Sequence, residues 1–299
     1  MGAEQIIGGT IGKIGNVFTV SVRMIDVATG EILIVTAYDH IGEIGGLLTK
    51  GMKATVTRLM DSINKPTPLE DKQLVKNKSN TMFNDAGKTG TVTDIDGNVY
   101  KTVNISGQYW MAENLKVTRF RNGELIDNIT SSDVWENLTT SAYCNYLNRI
   151  ENAIEYGSLY NWYAVNDSRN IAPNGWHVPS DRMWKQLEMF LGMTLSEVND
   201  VGFRGRYVGN RLKDSTSVYW SGSDSYAINR SGFSAIPAGF RWSNGTFFSP
   251  VSFNTYFWSS TVHSDYDYAW IRALFSDSSK VYRGIDHKSS GFSVRCVKD

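Results

Sequence analysis

Residues 257–291 read FWSSTVHSDYDYAWIRALFSDSSKVYRGIDHKSSG, and they carry the chain's densest set of side chains able to hold a ligand. Trp258, Ala269, Trp270 and Val281 read as frame positions. Between them stand His263, Asp265, Tyr266, Tyr268, Arg272, Asp277, Tyr282, Arg283, Asp286 and His287, interspersed with Ser264, Asp267, Ser276 and Ser278. Tyr and Ser mixed with Asp and Arg is the composition of adaptable binding surfaces. The rings supply contact area at low entropy cost and the short polar groups adjust their hydrogen bonds to the ligand. The ten named residues are therefore the expected ligand-binding set. The plainer reading of the same residues is a pair of solvated hairpins.

Other chemistries find less support. Calcium-type sugar binding needs a carboxylate and amide set beside a proline, and neither Glu-Pro-Asn, Gln-Pro-Asp nor Trp-Asn-Asp occurs. Asp94, Asp96 and Asn98 have the spacing that starts a calcium loop, but the closing Glu is absent and the stretch reads as a turn. The four histidines, His40, His177, His263 and His287, have no Gly-x-Ser-x-Gly nucleophile motif beside them. His177 reads as structural, and His263 with His287 could share a metal only if their hairpins meet. The glycine-rich IIGGTIGKIG lacks the Gly-Lys-Ser/Thr of a phosphate loop and reads as turns between strands. No catalytic residue, metal ligand or cofactor is expected. Two cysteines, Cys144 and Cys296, are too few for a disulfide scaffold or a four-thiolate metal site. They form either one bridge in an oxidising compartment or two buried thiols in a reducing one.

The elements that must position these residues fall into two parts. The chain has 299 residues with 30 basic and 30 acidic side chains, a balance that argues against a nucleic-acid partner. No run of about 18 apolar residues marks a spanning helix, and the opening residues lack the basic start and apolar run of a secretory signal. Because Met1 leads almost directly into a strand, the N-terminus reads as truncated. Of the aromatic residues, only Phe18, Tyr38 and Phe83 precede Tyr100, a step in composition that implies two cores. Residues 1–64 read as a small αβ module: strands over 16–26 and 31–38 joined as a hairpin, then an amphipathic helix over 43–63. One hairpin and one helix make a thin core, so this module is expected to be part of a larger sheet or to be completed by a partner. Residues 65–89, charged and holding two of the six prolines, read as a linker. Residues 90–299 read as an α+β domain. It has a hairpin over 91–104 turning at Asp96-Gly97, a helical stretch near 135–154, and a helix over 180–192 capped by Ser180 with Met183, Trp184, Leu187, Phe190 and Leu191 as its buried stripe.

YGSLYNWYAVND (156–167), APNGWHVPSDRMWKQLEMFLG (172–192), FWSST (257–261) and GFSVRCVKD (291–299), with DIDGNVYKTVNISGQYWMAENLK (94–116), resemble the Fibrobacter succinogenes major paralogous domain family. The resemblance implies a fold similar to C-type lectins and the formylglycine-generating enzyme, with its two ends tied by strands. It also implies a location in the bacterial envelope, at the cell surface or outside the cell. IIGGTIGKIGNVFTVSVRMIDVATGEIL and the helix after it resemble the end of the curli-secretion lipoprotein (CsgG-like) fold, which implies envelope association or oligomerisation. That family's upstream sheet and lipid-modified cysteine have no counterpart here. The C-terminal segment is also similar to the variable region of lectin-fold proteins diversified by retroelements. The formylglycine-generating relatives hold copper with a close pair of cysteines, and Cys144 has no neighbouring cysteine, so an oxidase is not implied. The expectation is a non-catalytic protein that binds an extracellular protein or glycan, with an envelope or adhesion scaffold as one alternative and, less favoured, a formylglycine-generating-like oxidase as the other.

Overall fold

The computed structural model describes residues 5–14, 17–26, 32–41, 87–216, 220, 227–248 and 253–299. The chain divides into two compact units, Met1–Asn77 and Lys78–Asp299. Among the described residues no helix is long and apolar enough to cross a membrane.

The first unit contains strands β1 (Gln5–Ile14), β2 (Val17–Asp26) and β3 (Ile32–Ile41) in an antiparallel sheet of order β1-β2-β3. β2 and β3 form the hairpin that the alternation predicts. The glycine-rich stretch is not a series of turns: it runs as β1, paired from Gln5 opposite Asp26 to Ile14 opposite Val17. A continuous ladder to β2 overrides the poor strand propensity of its glycines. The expected helix over 43–63, and all but the last residues of the expected linker, lie outside the described residues.

The second unit opens with the expected hairpin, β4 (Thr89–Thr93) and β5 (Val99–Ile105). Asp94 closes its turn: Oδ1 accepts from the backbone N–H groups of Asp96 at 3.0 Å and Asn98 at 2.9 Å. This side-chain mimicry of a backbone turn accounts for the Asp-x-Asp-x-Asn spacing. β6 (Gln108–Met111) follows, and β17 (Val297–Lys298), at the far end of the chain, lies between β6 and β10 (Trp176–His177) in a sheet of order β10-β17-β6-β5-β4. The two ends of the unit are thus joined by strand pairing.

Between them lie β7 (Asp127–Asn128), α1 (Ser132–Glu136), β8 (Ala142–Asn145), α2 (Ile150–Tyr156), β9 (Ser158–Tyr160) and α3 (Trp162–Val165). The single helical stretch expected near 135–154 is therefore two short helices separated by a strand. Leu147 and Asn148 adopt φ of 54° and 55°, a left-handed conformation in which no right-handed helix continues. α4 (Asp181–Phe190) forms as predicted, with Ser180 Oγ accepting from Met183 N at 3.3 Å. Trp184 and Leu187 are buried as expected, but Phe190 is 51% exposed, and Asp181 and Glu188 are buried instead. Next come β11 (Gly202–Arg204), α5 (Val208–Leu212), β12 (Phe240–Arg241) and β13 (Phe247–Phe248). β14 (Asn254–Val262), β15 (Tyr268–Phe275) and β16 (Val281–His287) complete an antiparallel sheet of order β11-β16-β15-β14.

Aromatic rings fill the core. Trp110, Trp184, Phe233 and Phe257 interlock at centroid distances of 5.0–5.8 Å beneath α4. Cys144 and Cys296 are both free and fully buried, in different hydrophobic clusters: Cys144 beside Trp135 and Leu159, Cys296 with Met111, Trp258 and Phe292. No bridge joins them in the structure, and both side chains are buried thiols.

Candidate ligand-binding site at the end of the C-terminal hairpins

The register of β14–β16 sorts the ten expected residues. Tyr268 lies opposite His287, Trp270 opposite Ile285, and Arg272 opposite Arg283. Alternation along the strands puts all six on one face of the sheet. α4 covers one half of that face. Its residues Asp181, Lys185 and Glu188, spaced at i, i+4 and i+7, share one side of the helix.

Arg272 and Arg283 belong to that covered half and do not reach solvent. Arg272, 1% exposed, donates from Nε to Glu188 Oε1 at 2.6 Å and places Nη1 2.9 Å from Asp181 Oδ1. Arg283, 4% exposed, forms a fork to both Asp181 oxygens at 3.0 and 2.9 Å, and its guanidinium lies 3.5 Å from the centre of the Trp270 ring. Arg204 on β11 adds a third buried guanidinium, donating to Glu188 Oε2 at 2.7 Å. Burial pushes the Asp181 carboxyl up, but the hydrogen bonds and charges of Arg283 and Arg272 outweigh it and hold it well below the usual range. The cluster ties helix to sheet. Reading these two arginines as ligand-binding is corrected on this ground: buried guanidiniums need anionic or carbonyl partners, and these have them inside the fold.

Tyr282 and Asp286 point to the opposite face. Tyr282 sits edge-on to Phe203, with centroids 5.3 Å apart, and its ring lies over Gly284, where an added Cβ would come within 2.6 Å of it. Asp286 Oδ1 accepts from Ser290 Oγ at 2.6 Å and His287 N at 2.8 Å, and burial raises its pKa. Asp277 is exposed in the turn joining β15 to β16, at the other end of these strands. The ten residues do not form one site.

Five of them do converge. The turn from β14 to β15 is closed by His263 N donating to Tyr268 O at 2.9 Å and Tyr268 N donating to Asp265 O at 3.1 Å. Asp265 N donates to His263 Nδ1 at 3.1 Å, which fixes the imidazole. The end of β16 is fastened to that turn by Lys288 N donating to Asp267 O at 3.0 Å. Rings then meet across the two strands: Tyr268 with His287 at 5.7 Å, and His263 with Trp270 at 5.2 Å. Tyr266, at the tip, is 78% exposed.

Residues outside the expected set of ten also contribute. Trp270, read as frame, is half-buried with His263 on its edge. Asp267 anchors Lys288, whose Nζ lies 4.7 Å over the Trp162 ring from α3. Tyr163 stands nearby, its pKa raised by burial and by the charge of Asp267. The period-2 position of Trp270, in phase with Tyr268, was the available signal.

His177 is held by Asp299 Oδ1 at 2.5 Å and Met183 S at 3.2 Å, a packing role. Among the described residues no group of three or more His, Cys, Asp or Glu side chains could hold a metal ion.

A family model described as Fibrobacter succinogenes major domain matches residues 103–298. The chain belongs to that family. The match spans the second unit from within β5 to β17, so the buried ion cluster and the hairpin end both lie inside the Fibrobacter succinogenes major domain. No curated protein and no solved structure matches the chain.

Proposed function

We propose that this chain is a non-catalytic recognition protein of the bacterial envelope or cell surface that binds an extracellular protein or glycan through the hairpin end. The observation that carries the reading is the convergence of His263, Asp265, Tyr266, Tyr268 and His287 at the end of β14–β16. Backbone hydrogen bonds close the turn that carries His263, Asp265 and Tyr266 and fasten it to the strands that carry Tyr268 and His287, so little order has to be gained on binding. The aromatic faces of Tyr266, Tyr268 and Trp270, alternating with imidazole and carboxylate, suit stacking on a sugar ring as well as contact with a protein surface. The frame is read as C-type-lectin-like, and the segment between its tryptophans as one that sequence diversification could vary. The first unit is read as a CsgG-like module that supports envelope association or assembly.

The test is binding of the full chain to a glycan and envelope-protein array, with and without calcium, beside a variant carrying His263→Ala, Tyr266→Ala, Tyr268→Ala and His287→Ala. A hit lost in the variant supports the reading. A hit indifferent to the four changes, or no hit, moves the assignment to an envelope scaffold.

A further inference from the structure

Away from the hairpin end, the sheet that joins the two ends of the second unit has β4 at its edge. Asn104 N donates to Lys88 O at 2.9 Å, and Asp94 N donates to Asn98 O at 3.0 Å. In an antiparallel ladder this phase turns Gly90 and Val92 toward β5 and leaves the N–H and C=O groups of Thr89, Thr91 and Thr93 pointing outward. Among the described residues nothing pairs with them. The other sheet edges of this unit are two or three residues long, apart from β14. β14 is covered by bridges from Thr255 to Gly239 and from Phe257 to Ser293, and by Ser260 N donating to Pro179 O at 3.0 Å. β4, by contrast, reads Thr-Gly-Thr-Val-Thr, with four of its five residues exposed. It has none of the charges, prolines or bulges that blunt natural edges.

A groove of about 720 Å³ runs beside this edge, within the size range of ligand sites. Thr89 and Thr91 share its floor with Lys101 and Val103, and residues 230–234 form its wall. That wall is fixed from beneath. Arg295, 0% exposed, donates from Nη1 to Phe233 O and from Nη2 to Ser234 O at 2.9 Å. No carboxylate lines the groove, whereas Lys101 and Arg230 do, both exposed and without an ion-pair partner among the described residues. Glu113 accepts from the backbone N–H of Lys101, at 2.5 Å, and not from its ammonium. Two copies joined through β4 would set these cationic grooves side by side, so charge selects an acidic partner over a second copy.

We propose that an acidic, extended segment of another protein adds to β4 as a sixth strand. Its backbone pairs with Thr89, Thr91 and Thr93, and its alternate side chains overhang the groove with carboxylates toward Lys101 and Arg230. The inference is independent of ligand binding at the hairpin end.

The test is fluorescence anisotropy of the full chain with two labelled eight-residue peptides, one alternating Glu with Val and one alternating Lys with Val. The acidic peptide is expected to bind saturably below about 1 mM and the basic one at least about tenfold more weakly. Thr91→Pro removes an outward N–H that the β4–β5 ladder does not use, so it is expected to abolish binding with Tm unchanged. Joint Lys101→Glu and Arg230→Glu is expected to weaken the acidic peptide at least about tenfold and to strengthen the basic one. Tyr266→Ala is expected to leave binding unchanged. No saturable binding of the acidic peptide, equal binding of the basic one, or binding retained in Thr91→Pro overturns the proposal. Self-association of the chain that Thr91→Pro abolishes assigns the edge to a second copy and overturns it as well.

Discussion

The ion cluster beneath α4 contains three guanidiniums, Arg204, Arg272 and Arg283, against two carboxylates, Asp181 and Glu188, and this imbalance predicts an asymmetry between substitutions. Glu188 is 0% exposed and accepts from Arg204 Nη2 at 2.7 Å and Arg272 Nε at 2.6 Å. Glu188→Gln leaves Arg204 with no anionic partner and Arg272 with only Asp181, at the cost of breaking a buried pair, about 3–5 kcal/mol. Arg204→Met removes a guanidinium whose Nε and Nη1 are buried without acceptors. The loss of its charge-assisted bond, about 1.5–3 kcal/mol, is offset by discarding two unsatisfied donors at about 1–3 kcal/mol each, so any net loss stays below about 1 kcal/mol. Urea unfolding followed by tryptophan fluorescence reads both variants, because all nine tryptophans lie in the second unit. With an m-value of about 2–3 kcal/mol/M, the midpoint falls by about 1–2.5 M for Glu188→Gln and by less than about 0.5 M for Arg204→Met. Equal falls, or a larger one for Arg204→Met, refute the reasoning.

Asp286 holds its proton to a higher pH in the folded chain than in the unfolded one, where the carboxyl titrates near about 3.9. Its contribution to stability therefore declines as pH rises from about 4 through the raised value. Asp286→Asn removes that decline, so its stability relative to the parent increases from about pH 4 toward 7 in urea titrations, and a constant difference contradicts this. Burial pushes the Cys144 thiol up to about 12 and raises Cys296 as well, so neither reacts with a thiol reagent in the native chain and both react in urea without reductant. A bridged pair gives no reaction in either state. Gly284→Ala forces the Tyr282 ring off the sheet and lowers Tm by several degrees, and an unchanged Tm means that the ring moves freely.

Local signals were the ones that could be read from the sequence. Ser180 ahead of the Met183–Trp184 stripe marks a helix start because cap and stripe act within two turns. Asp94 and Gly97 mark a turn for the same reason, and the motif blocks lead to the family that the comparison with family models returned. The hairpin end was legible because His263, Asp265, Tyr266 and Tyr268 are near neighbours in one turn, and His287 is brought in by simple antiparallel register. Arg272 and Arg283 were misassigned because alternation tells which face a side chain takes but not what covers that face. The covering carboxylate for Arg272 lies 84 residues upstream, on a helix whose polar positions look solvent-facing until Trp184 is known to point inward. The same helix exposes Phe190, since a stripe predicted from hydrophobicity has no knowledge of where the sheet ends. Arg295 passed unnoticed because its partners are backbone carbonyls, which no residue type announces.

The most direct test of the recognition reading takes the strongest array ligand and measures its Kd with the parent, the His263/Tyr266/Tyr268/His287 alanine variant and Asp277→Ala. The reading predicts at least about tenfold weaker binding for the four-residue variant at unchanged Tm, and no change for Asp277→Ala at the opposite end of the strands. Equal Kd values for the parent and the four-residue variant contradict it.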